Sequence, residues 1–206
     1  MLVFTGTRLS CLLLLVMAIP LWFEMEAVLN IWLTDVPDYT LIFCRIMLIN
    51  VLLDTTSNYF ATAMQATGKI RNYQIVVSLV LFMNFPLSYL FIRLTHLPYV
   101  IYYVYGFISS CLLFTRMYLV ARELEIRLWV NFLKTVLWPV TRVLICAVPM
   151  SYLAYRCLDN LSLIPQFICV IILCALITGI SSLVLGLNCA EKKRVISIVK
   201  SKIRRQ

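Results

Sequence analysis

Residues 39–73 read YTLIFCRIMLINVLLDTTSNYFATAMQATGKIRNY, and their reading decides the fold. The stretch is long enough to cross a bilayer, which takes about 20 mostly apolar residues. It is also too polar to face lipid all the way round. At ~100° per residue, measured from Asp54, Asn50 and Asn58 fall about 40° to either side and Ser57 about 60° away, with Ala61 and Gln65 within about 20°. A continuous polar and small stripe therefore runs down one face of a membrane helix. The other face is apolar through Ile49, Leu53 and Phe60. The helix then ends in Gly68, followed by the basic residues Lys69 and Arg71. A carboxylate near mid-membrane is costly, so Asp54 has to face protein or a water-filled cavity. Two uses stay open: a polar path for a solute, or a flank packed against neighbouring helices.

Working outward, the 206-residue chain is 63% apolar and 13% charged, with a mean hydropathy of +0.95. Soluble domains carry roughly 25% charged residues. Runs of about 20 apolar residues recur, each a candidate span. The composition thus predicts an all-α, polytopic transmembrane helical bundle. The net charge of +9 raises nucleic acid as a partner. The basic residues cluster in short loops and at the C-terminus, however, which fits membrane orientation and no nucleic acid. The eight cysteines are scattered through apolar runs without C-x-x-C spacing, and read as small buried apolar residues. One histidine, His96, has no carboxylate nearby in sequence and makes a poor metal site. No metal or cofactor is expected.

The expected bundle occupies residues 1–190, with spans at about 3–23, 39–67, 73–92, 99–121, 136–155 and 163–187. The first span carries Arg8 near its start and is read as an uncleaved helix, because no small-x-small site precedes Glu24 and Glu26. An amphipathic stretch at 24–33 follows, with Trp22 and Trp32 as interfacial anchors. In the second span Arg45 lies about 180° from Asp54, so the two do not pair within the helix. Pro86 in the third span and Pro149 in the fifth are expected to kink their helices. Asn84 and Ser88 are available to serve the carbonyls freed by Pro86. Tyrosines 99, 102, 103 and 105 open the fourth span and read as an aromatic belt, with a sugar-stacking patch as the alternative. Residues 122–134 (RELEIRLWVNFLK) read as an interfacial amphipathic segment. Residues 191–206 form a basic tail suited to anionic lipids.

The loops set the expected orientation. Lys69, Arg71, Arg122, Arg127, Lys134 and the basic tail lie on one side. Glu24, Glu26, Asp35, Asp38 and Asp159 lie on the other, with Arg93 and Arg156 as the basic residues there. The positive-inside rule then puts both termini in the cytoplasm.

The stretch from Trp32 to Leu94 resembles a known family. The runs Ile31-Trp32-Leu33, Val36-Pro37, Tyr39-Thr40 and Phe43, then Asn50 and Asp54, then Gln65 to Ile70, Tyr73-Gln74, Asn84, Pro86 and Ser88 to Leu90 are similar to bacterial polysaccharide-biosynthesis membrane proteins. These are the Wzx-type oligosaccharide flippases of the MATE-like exporter superfamily. The resemblance implies a MATE-like half that moves undecaprenyl-diphosphate-linked sugar units across the bacterial inner membrane by alternating access. The sugars would serve surface polysaccharide or lipopolysaccharide synthesis. The match falls on the C-terminal portion of such proteins, and the N-terminal bundle has no counterpart here. A fragment is therefore expected, working with a separate N-terminal half or a second copy, or left unable to transport. Ser57-Asn58-Tyr59-Phe60 stands where the family pattern has Gly-Pro.

On that reading Asn50, Asp54, Asn58 and Gln65 line the sugar path, and Arg45, Lys69 and Arg71 are diphosphate contacts. Lys69 and Arg71 also follow from the positive-inside rule alone. Asp54 is open between a coupling role and a buried packing pair. A multidrug or cation antiporter of the same fold is the alternative. An enzyme is not expected, because Asp54 is the carboxylate deep in a span and no nucleophile motif or phosphate-cradling loop accompanies it.

Overall fold

The computed structural model describes residues 2–33, 35–68, 70–124, 128–158 and 163–187. Among these, all regular structure is helical: α1 (Leu2–Phe23), α2 (Met25–Trp32), α3 (Thr40–Ala66), α4 (Ile70–Phe82), α5 (Asn84–Thr95), α6 (Val100–Leu124), α7 (Leu128–Phe132), α8 (Trp138–Cys157) and α9 (Leu163–Ser181). A wider π-helical turn, Leu133–Leu137, joins α7 to α8, and another, Ser182–Gly186, follows α9. Six rods are long and apolar enough to cross a membrane: Val3–Phe23, Thr40–Ala66, Ile70–Thr95, Val100–Glu123, Trp129–Cys157 and Pro165–Gly186. The chain is an all-helical, multi-pass membrane protein.

Local chemistry explains the helix ends. α3 stops at Gly68, whose φ of 77° is the left-handed conformation glycine adopts without a Cβ clash. The amides of Thr67 and Gly68 turn back to the carbonyls of Met64 and Gln65, closing the last turn. α5 ends at His96, also left-handed, and Pro98 blocks continuation. Pro86 has no amide to give the carbonyl of Phe82, and the ladder of the third span is interrupted between α4 and α5 at Met83, whose own backbone stays helical and bonded to Leu79 and Leu87. Pro149 behaves differently, because α8 runs unbroken through it. The freed carbonyls do not take the expected donors either: Ser88 Oγ donates to Asn84 Oδ1 at 3.3 Å.

The fifth span starts earlier than its sequence suggests. Phe132 and Val136, one turn apart, are both buried in the core. Burial of that face continues the helix through 128–137 into α8, so the C-terminal part of the amphipathic segment is the first turns of a span. Residues 125–127 of that segment, Lys69, Asp159 and the basic tail lie outside the described residues.

α1 is the hub. It packs on α3, α8 and α9, and about half of its span is buried, whereas the third span is almost wholly exposed. One core cluster gathers Phe4, Phe60, Met64, Leu112 and Phe132 where α1, α3, α6 and α7 meet. Phe60 is fully buried, with edge-on rings of Phe4 at 6.2 Å and Phe132 at 5.6 Å. The apolar side of α3 is thus divided: Phe60 enters the core while Met47 and Ile49 stay exposed. A second cluster joins Leu12, Leu15 and Ile19 of α1 to Val143 and Ala147 of α8. Arg8, one turn above Leu12, is buried inside the bundle rather than at its edge.

Outside the core the chain is apolar, as a lipid-facing surface requires. Cys146, Cys157 and Cys169 sit on that surface, correcting their reading as buried; Cys11 and Cys174 are buried. Arginines fold back over rings one turn earlier, Arg93 on Tyr89 at 5.6 Å, Arg142 on Trp138 at 4.7 Å and Arg156 on Tyr152 at 5.7 Å. Arg93 and Arg156 lie near helix ends and keep their charge near the surface, whereas Arg142 is midway along the Trp129–Cys157 span.

Candidate functional site: a polar cavity between α3 and α6

The stripe on α3 meets α6, which runs parallel beside it. Asn50, at the start of the stripe, is 2% exposed and its Nδ2 donates to the Tyr102 carbonyl at 3.1 Å. Gly106 makes that approach possible, since a Cβ there would stand 2.5 Å from Asn50 Oδ1. Asn50 is therefore a clasp between helices, not a cavity wall of the Asp54 site. Further along, Asp54 accepts two hydroxyl donors from α6: Tyr105 Oη–H at 2.7 Å and Ser109 Oγ–H. Arg116, a turn and a half or more beyond, donates from Nη1 to Ser57 Oγ at 3.1 Å and to Asn58 Oδ1 at 3.4 Å.

These groups line one cavity of ≈ 250 Å³, together with Asn84 of α5 and the apolar side chains of Leu81, Ile108 and Leu112. It has room for a handful of waters or part of a polar solute. Its two charges stand apart, with Ser109 and Arg116 about 10 Å from each other along α6. Asp54 is held by neutral hydroxyls and Arg116 by neutral oxygens. Charged side chains at mid-span cost about 2.5–3.5 kcal/mol each to insert, so both need water or a ligand nearby. Beyond the cavity the stripe opens: Asn58, Thr62 and Gln65 are exposed. Amide side chains at this depth are disfavoured against lipid and are suited to an aqueous or proteinaceous boundary.

The structure separates the other sequence candidates. Arg45 lines a different cavity, with its guanidinium 5.8 Å from the Trp22 ring. Arg71 lines a third, beyond the C-terminal end of α3, with Arg122 and Glu123. Arg45 and the end of α3 are roughly 30 Å apart along the axis, so Arg45 and Arg71 do not converge on one diphosphate. Lys69 lies outside the described residues. The tyrosines also divide. Tyr99 packs on Tyr39 and Tyr102 on Phe43, with ring centroids at 5.7 and 5.1 Å, while Tyr105 turns inward to Asp54.

Arg116, Ser109 and Tyr105 are the site residues that reading the second span alone does not give. The signal was present in the fourth: taking Tyr105 as origin, Ser109 and Arg116 fall within about 40° on one face of α6. Among the described residues, no cluster of three or more His, Cys, Asp and Glu is placed to hold a metal. Compared with protein-family models, with curated proteins and with solved structures, the chain matches none.

Proposed function

We propose that this chain is part of a membrane flippase that moves a lipid-linked oligosaccharide, of the undecaprenyl-diphosphate type, across the bacterial inner membrane. The observation that carries the reading is the Asp54–Arg116 cavity, where a carboxylate and a guanidinium face the same polar space inside the membrane. A glycosyl diphosphate offers matching chemistry. Its hydroxyls exchange hydrogen bonds with Asp54, Asn58 and Asn84, and its phosphoryl oxygens suit the Arg116 fork. The exposed amides of Asn58 and Gln65 extend the polar track toward the Gly68 end of α3. The mechanism is alternating access and involves no catalytic chemistry. General acid–base work needs a second titrating partner of suitable kind, and the cavity lining supplies one carboxylate beside an arginine. Both termini are placed in the cytoplasm, on the loop charges. A separate N-terminal half or a second copy supplies the facing wall.

A cation antiporter is the second reading. The Tyr105–Asp54 bond favours it, since a carboxylate with an aromatic partner suits a cationic solute. Arg116 in the same cavity weighs against it by like-charge repulsion.

The test reconstitutes the full chain, with its partner half where one is encoded beside it, into proteoliposomes and follows flipping of a fluorescent lipid-linked oligosaccharide. Arg116→Gln lowers the rate at least tenfold, and Asp54→Asn removes its dependence on an imposed ion gradient. Asn at 54 still accepts from Tyr105, so thermal unfolding close to the parent's checks that the fold is intact. Unchanged flipping in both variants overturns the reading, and gradient-driven efflux of an organic cation in place of flipping selects the antiporter.

A further inference from the structure

The geometry points to a second site, independent of the Asp54 cavity: a built-in seat for one anionic phospholipid, its phosphate on Arg45 and its acyl chain in the cleft beside α3. Arg45 sits in the second turn of α3, about 8 Å from the helix start, the depth at which headgroup gives way to acyl chain. It does not have the freedom of a snorkelling arginine. Its Nε is buried without a hydrogen-bond partner, and its guanidinium lies 5.8 Å from the Trp22 ring centroid. A half-buried cation beside an indole keeps N–H groups available at this depth, which suits a phosphate ester. Of the acidic residues at the same end, Glu26, Asp35 and Asp38 are exposed to solvent and Glu24 is buried.

The walls around Arg45 say what kind of anion fits. Arg45 and Trp22 line a cavity of ≈ 460 Å³ whose other walls include Ile46, Ile49, Leu53 and Phe107. Along α3 those positions run from the headgroup level inward, and the wall below Arg45 is mostly apolar, with Asn50 and Ser110 as polar members and Asn50 already bonded to the Tyr102 carbonyl. Trp22 and Ile49 are shared with an adjoining groove of ≈ 720 Å³ between α1, α3 and α8, walled by Leu15, Ile19, Leu48, Leu52, Leu144 and Val148. The groove follows α1 for about 12 Å. A free phosphate leaves that surface uncovered, and a zwitterionic phospholipid brings its phosphate together with an ammonium that competes for it and is repelled by Arg45. An anionic phospholipid satisfies both the groove and Arg45.

The experiment keeps Trp22 as the one tryptophan, by Trp32→Phe, Trp129→Phe and Trp138→Phe, and places the full chain in phosphatidylcholine vesicles. Quenching of Trp22 is compared for brominated-chain phosphatidylglycerol and brominated-chain phosphatidylcholine. Occupancy by phosphatidylglycerol is expected to be favoured about fivefold, the effect of one basic side chain on an anionic lipid. Arg45→Gln brings the ratio to one; Arg45→Lys keeps it above one; Arg71→Gln, at the far end of α3, leaves it unchanged. Raising salt on the unsubstituted single-tryptophan protein lowers the ratio without any change at position 45. Equal quenching by both lipids, or a preference that survives Arg45→Gln, overturns the proposal. So does loss of the preference on adding millimolar inorganic phosphate at constant ionic strength, since the seat then belongs to free phosphate. None of these readouts depends on transport, so they stand or fall apart from the flippase reading.

Discussion

Replacing Gly106 by alanine tests the seam between α3 and α6 most directly. Asn50 is clamped there from two sides, by burial and by its hydrogen bond to the Tyr102 carbonyl at 3.1 Å. That carbonyl also serves the Gly106 amide one turn on, so the amide of Asn50 shares an acceptor that only a bare Cα leaves open. A Cβ at 106 would stand 2.5 Å from Asn50 Oδ1 and 3.5 Å from its Cγ, and the obstacle is no flexible chain end. Overpacking of this kind costs about 1–3 kcal/mol. Expelling Asn50 also forfeits an interhelical hydrogen bond worth about 0.6 kcal/mol in membrane bundles. Gly106→Ala is therefore expected to lower the unfolding free energy by about 1.5–3.5 kcal/mol, read by detergent-titrated denaturation in mixed micelles with tryptophan fluorescence. Adding Asn50→Ala removes the obstacle, and the double variant should return to within about 1 kcal/mol of the parent. A single variant within about 0.5 kcal/mol of the parent, or a double variant no more stable than the single, refutes the clasp.

Two further expectations rest on the same kind of geometry. At Gly186 a Cβ would meet Leu12 Cδ1 at 2.5 Å and Cδ2 at 3.0 Å, and Leu12 is buried in the second core cluster, so Gly186→Ala should cost about 1–3 kcal/mol in the same titration. Pro86→Ala restores an amide for the Phe82 carbonyl, and hydrogen exchange at residues 83–87 should slow as α4 and α5 fuse; unchanged exchange would show that Pro86 is not what breaks the span.

Much of the bundle was legible because membrane helices advertise themselves by length and hydropathy. Spans one to four fall near where apolar runs put them, and the polar flank of α3 marked Asp54 before any neighbour was known. What could not be read was who meets that flank. Tyr105 and Ser109 lie some fifty residues away in a run whose tyrosines look like an interfacial belt, and only packing of α3 on α6 turns one of them inward. Asn50 could not be placed for the same reason: an amide within about 40° of Asp54 has the right angle for a cavity, and packing puts it at the wall it shares with Arg45, bonded to the Tyr102 carbonyl. The start of the fifth span was hidden by charge. Residues 122–134 look interfacial by composition, yet Phe132 and Val136 bring their face into the core. Pro86 and Pro149 are alike as letters. One coincides with an interruption of its helix and the other lies inside a continuous one.

The interruption at Met83 has a mechanical consequence. A continuous helix passes twist and bending along its axis, because each turn is bonded to the next. Around Pro86 a rung is missing, and the two flanking halves both pack on α6 but are anchored unequally. The missing rung lowers the resistance to bending in the turn about Met83. The Ile70–Phe82 half is anchored through Tyr73 and Val77 in the core, whereas the Asn84–Thr95 half lies on α6 without burying a side chain, so bending at this point displaces Asn84 at the wall of the Asp54 cavity and leaves the basin at Arg71 in place.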